Sequence, residues 1–120
     1  MGAFGQVLAA VARKVPEARA VVIMGNDGIP VEKVVVGGDA SAEAVAAELT
    51  TVLASSLART ADTDLGMLRE MTMVTDGMTT LVMAISPEYH IFVAMAPGGL
   101  AGRARAAMRV ACLELEREFA

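Results

Sequence analysis

Three runs in this chain, VVIM (21–24), LVMAI (81–85) and IFVAMA (91–96), are apolar without a break. A strand wetted on one face alternates apolar and polar side chains, so an unbroken run fits a strand covered on both faces. A sheet built on such strands needs helices on each side of it. Two further β-rich runs read differently. Val31–Val36 follows Pro30 and carries Glu32 and Lys33, and Met67–Val74 carries Arg69, Glu70 and Thr72. Charge and proline at those places suit the edges of a sheet.

The remaining sequence fills in the order. Phe4, Val7, Leu8, Val11 and Val15 recur at helical spacing until Pro16, which predicts a first helix over residues 3–15. Arg19–Met24 and Val31–Val36 flank Gly25-Asn26-Asp27-Gly28, a tight hairpin turn. Gly37-Gly38-Asp39 breaks the second strand, Ser41 is placed to cap a second helix, Glu43 favours its positive end, and that helix runs to about Ala61. Strands over Met67–Val74, Met78–Ser86 and His90–Ala96 follow, punctuated by Asp76-Gly77 and Pro87-Glu88-Tyr89. After Pro97-Gly98-Gly99, a last helix presents Ala101, Ala104, Met108, Ala111, Cys112, Leu115 and Phe119 on one face. The expected fold is α/β (α+β), one domain over residues 1–120, with elements αββαβββα. Hairpins fix strand 2 beside strand 1 and the series 3-4-5. Only the antiparallel order 2-1-5-4-3 then leaves the charged strands at both edges. Three helices over two faces put helix 2 on one and helices 1 and 3 on the other.

Helix 2 constrains the reading further. Its segment AVAAELTTVLASSLA (44–58) has apolar or small side chains over an arc of about 240°, against about 100° for a helix covered from one side. Glu48, Thr51, Ser55, Arg59 and Asp62 form the polar strip. A second cover is expected, and the line Ala46, Thr50, Ala54, Leu57 and Ala61, mostly small, is where another copy could approach closely. With the edge residues Met67, Arg69 and Met71 it forms the expected dimer interface.

The hairpin RAVVIMGNDGIPVEKVVV, the Ala-rich second helix and LVMAISPEYHIFVAMAP before the last helix resemble the Roadblock/dynein-light-chain family, most of all its bacterial MglB-type members. The resemblance spans about residues 4–118, with a short N-terminal region. It implies homodimers or heterodimers in which helix 2 and strand 3 meet their counterparts, and a partner that is a small Ras-like GTPase. The residues expected to touch that partner are Glu48, Thr51, Ser55, Arg59 and Asp62. A regulator or scaffold is implied, not an enzyme.

Composition agrees with a binding role and excludes others. A net charge of −4, with no Trp, one Tyr and three Phe, gives neither the basic clusters nor the stacking platforms a nucleic-acid surface needs. No apolar run approaches the roughly 18 residues of a membrane span, and no export or lipidation signal is visible at MGAFGQVLAAVARK, so neither a membrane nor nucleic acid is expected as a partner. A single Cys suits a reducing cytoplasm. Nine Met residues are mainly core fillers that also serve adaptable partner surfaces.

Chemistry is sparse. Cys112 lies on the apolar face of the last helix with no cationic neighbour in the pattern, and His90 has no second His or matching Cys. Asp62 and Asp64 lack the further oxygens of a calcium loop, and neither GxGxxG nor GxxxxGK[ST] occurs, so no metal, no cofactor and no intrinsic GTP hydrolysis are expected. The competing reading is a small-anion sensor at Gly98–Arg109, where a glycine turn opens a helix bearing Arg103, Arg105 and Arg109.

Overall fold

A computed structural model of the chain describes residues 2–36 and 40–119. Its elements are α1 (Ala3–Lys14), β1 (Ala18–Gly25), β2 (Pro30–Val35), α2 (Ala40–Ala61), β3 (Glu70–Thr75), β4 (Met78–Ala84), β5 (Tyr89–Met95) and α3 (Ala101–Phe119). The five strands form one antiparallel sheet in the order β2-β1-β5-β4-β3. The three unbroken apolar strands are the inner ones, and the charged strands are the edges. Residues 37–39, expected to break strand 2, lie outside the described residues, as do the side chains of Ser41, Glu43, Val45 and Ala61.

The period of two in each strand divides the core. Val21, Ile23, Leu81, Met83, Ile91, Val93 and Met95 face α1 and α3, where Leu8, Val11, Ala104, Met108 and Leu115 cover them. Ala20, Val22, Met24, Val82, Phe92 and Ala94 face α2, against Ala46, Leu49, Leu53 and Leu57. Phe119 stacks on Phe4 at 5.0 Å and on Tyr89 at 4.2 Å, which ties both ends of the chain to the β4–β5 turn.

Strand β3 begins three residues later than the sequence pattern suggests. Its partner sets the limit: β4 turns away at Ile85 and Ser86, whose amides both bond the Tyr89 carbonyl, so Met67 has no strand to lie against. The last contact is Ala84, whose amide donates to the Arg69 carbonyl at 2.8 Å. Met67 and Arg69 therefore belong to the approach to β3, and Met71 is inside it.

Candidate interaction surface

Helix α2 approaches the sheet over β1 and β2, not over its middle. The line of small residues explains that offset. A Cβ on Gly28, in the β1–β2 turn with φ +83°, would stand 3.0 Å from the Ala54 Cβ and 3.2 Å from the Thr50 carbonyl oxygen. Small side chains let the hairpin tip close onto the helix. Ala46, Thr50 and Leu57 are buried within the single chain and Ala54 is half-buried.

The second cover that α2 lacks is on its other flank. Val52 lies about 200° round the helix from Ala54 and is 49% exposed. Below that flank, Leu68, Met71, Met73 and Met78 pack on the edge of the α2-side core yet stay only partly buried. Leu65 and Met67, in the segment leading to β3, are 83% and 50% exposed. Val52, Met71, Met73 and Met78 are thus apolar side chains that the single chain leaves partly uncovered. Of the residues expected at a dimer contact, Met71 is one of these, whereas Met67 and Arg69 line the cavity shared with Pro87 and with Glu116 of α3.

The β3 edge itself has a definite polarity. In an antiparallel ladder, hydrogen-bonded and non-hydrogen-bonded pairs alternate. Because Arg69 is bonded to Ala84, the backbone groups of Met71 and Met73 point at β4, and those of Glu70, Thr72 and Val74 point outwards. Three consecutive outward positions form an unpaired edge. Glu48, Thr51, Ser55 and Arg59 are exposed along the outer face of α2, and Asp62 is exposed just past its end.

On the opposite face, Glu70 receives the Nε–H of Arg105 and lies 3.9 Å from Arg109 Nη2. Two of the three arginines at the candidate anion site thus already face a carboxylate, and this pairing anchors β3 to α3. The two largest cavities described, of about 380 and 300 Å³, lie at the Asn26–Asp27 turn and beside Met67, away from Gly98–Arg109.

His90 is buried under the segment leading into β3, with Nε2 3.2 Å from the Leu68 carbonyl. A carbonyl only accepts, so Nε2 carries the proton and Nδ1 is left buried with no partner. Burial lowers the imidazole pKa, against a smaller opposing effect of the Leu68 bond. Burial and, secondarily, Glu116 push the Cys112 thiol up to about 11, which leaves it protonated and unreactive. No group of three or more metal-ligating side chains occurs among the described residues, and no described helix is long and apolar enough to cross a membrane.

Residues 5–95 match the family described as the Roadblock/LC7 domain. Among solved structures, the chain is similar to MglC from Myxococcus xanthus, with 28% identity over 96% of this chain and 98% of that one and a TM-score of 0.77. It is similar in fold to the gliding protein MglB from Thermus thermophilus, at 14% identity, 98% and 91% coverage and a TM-score of 0.76. A Roadblock/LC7 domain from Streptomyces avermitilis compares at 16% identity, 96% coverage of each chain and a TM-score of 0.76. No curated protein sequence matches.

Proposed function

Because the chain belongs to the Roadblock/LC7 domain family, we propose that it acts by binding, as a homodimer that regulates or scaffolds a small Ras-like GTPase. The observation that carries the dimer is the unpaired β3 edge, with the partly buried Met71, Met73 and Met78 behind it and Val52 exposed on α2. A second copy of the chain fits both parts. Its β3 continues the sheet antiparallel about Thr72, and its α2 covers the exposed flank of Val52.

In that arrangement two α2 helices lie side by side and present Glu48, Thr51, Ser55, Arg59 and Asp62 as a polar rim, suited to a reversible partner. Switch segments of a GTPase change order with the γ-phosphate, so a surface touching them distinguishes the nucleotide states, by about 1–3 kcal/mol. The test is calorimetric titration of a Ras-like GTPase from the same cell, loaded with a GTP analogue or with GDP. Tighter binding of the GTP form, weakened by Glu48→Lys and Arg59→Glu in dimers that stay intact, supports regulation. Equal affinity for both forms leaves a scaffold, and no binding to either overturns the GTPase assignment.

A further inference from the structure

The connector between α2 and β3, residues 62–69, has few ties to the rest of the chain. The Thr63 and Gly66 amides bond the Thr60 and Thr63 carbonyls, and the Leu65 amide bonds Thr63 Oγ1, all within the connector and the last turn of α2. Among the described residues, only two hydrogen bonds hold the connector to the sheet. The Ala84 amide donates to the Arg69 carbonyl, where the β3 ladder starts, and His90 Nε2–H donates to the Leu68 carbonyl at 3.2 Å. Adjacent residues accept them, so a shift of Leu68 disturbs the start of the ladder.

The second tie depends on one proton. His90 shares the α2 side of β5 with Phe92 and Ala94 and is 1% exposed. Its Nδ1 is buried without a partner, which costs little while it is an unused acceptor; protonation would place an N–H and a positive charge there. Met24 and Ala84, opposite it in the ladder, offer that charge nothing. Asp27, Arg59, Asp62, Asp64, Arg69 and Glu88, on the turns, helix and connector around it, are all exposed. None enters its titration, which burial opposes and the Leu68 bond favours. A charged ring is relieved only where water reaches it, and α2 lies over β1 and β2, so the cover that can lift is the connector.

We infer that His90 is a proton-controlled latch: neutral, it holds the connector and the start of β3 on the sheet, and protonated, it releases them. The outward β3 edge is released with them, a consequence that rests on the dimer proposed above. The latch is closed above about pH 6.5 and opens as pH falls through the lower folded value.

The test is an NMR titration of the full chain from about pH 7.5 to about pH 5, reading the His90 ring and the backbone amides. Heteronuclear NOE values of Gly66, Met67 and Leu68 should fall along the ring's titration curve, a loss of order that charge alone would not cause, while Leu8, Val21 and Met108 keep theirs. His90→Gln keeps a donor for Leu68 and should hold the connector over the whole range. Leu68→Ala thins the cover, so ring and connector should move to higher pH together; this variant decides if His90→Gln does not fold. The inference is overturned if the ring stays neutral until all signals collapse together, if it titrates while the connector stays ordered, or if His90→Gln releases the connector likewise. Sedimentation velocity on the same samples reads the edge, and association should weaken along the same curve in the native chain only. Association that ignores the titration overturns the link to the edge, and a chain monomeric at every pH overturns the β3 dimer instead, with the latch still read by ring and connector.

Discussion

Gly28 and Ala54 hold the β1–β2 turn against α2, with 3.0 Å between the Ala54 Cβ and the place a Gly28 Cβ would occupy. Gly28→Ala combines that collision with a φ of +83°, and Ala54→Leu drives a larger side chain into the same gap. Each is expected to destabilise the folded chain by about 1–3 kcal/mol. Urea unfolding checks this; a stability within error of the native chain would mean that the hairpin does not rest on α2.

Glu70 ties the edge strand to α3 through Arg105 and Arg109. The Arg105 and Glu70 side chains are 34% and 32% exposed, so solvent screens the pair, and Glu70→Ala is expected to cost less than about 1 kcal/mol. Its clearer effect is local. Amides of Met71 and Met73 should exchange faster in the variant while those of β1 and β5 keep their protection.

The buried His90 gives a signed pH dependence. Its folded pKa lies below 6.5, so between the folded and unfolded values the unfolded chain binds more protons. The stability that neutral His90 contributes is full above about 6.5 and falls as pH drops through that window. His90→Gln keeps a donor for the Leu68 carbonyl and removes the titration. The native chain should lose melting temperature more steeply than the variant between about pH 7 and pH 5; parallel curves would contradict this.

Proline separates the two sides of β3. The Met71 amide points at β4, so Met71→Pro breaks a ladder bond and should unfold or strongly destabilise the single chain. The Thr72 amide points outwards, so Thr72→Pro should leave the monomer folded and remove pairing across the edge. Similar losses of monomer stability in both variants would show the outward assignment to be wrong.

Strand order, both edges and the division of helices between the faces were legible because they follow from local composition: unbroken apolar runs inside, Lys33, Glu32 and Arg69 at the rims. The start of β3 was not, since it depends on where β4 turns. Helical spacing likewise shows which α2 residues share a face but not what covers them, and the Gly28 turn lies against Thr50 and Ala54 of the line read as a seam. Val52 was visible in the apolar arc, and the Met71/Met73 alternation was a usable signal for the half-covered side of β3. The pairing of Glu70 with Arg105, 35 residues apart, left no trace in spacing.

The central claim, that β3 continues into a second copy, rests on three outward-facing residues and is tested there. Residue-resolved hydrogen exchange of the Glu70, Thr72 and Val74 amides reads their pairing directly. A single chain leaves all three open to water. The account predicts that they are protected at concentrations where the chain associates and lose that protection on dilution, while Met71 and Met73 stay protected throughout. Free exchange at Glu70, Thr72 and Val74 at every concentration would contradict it.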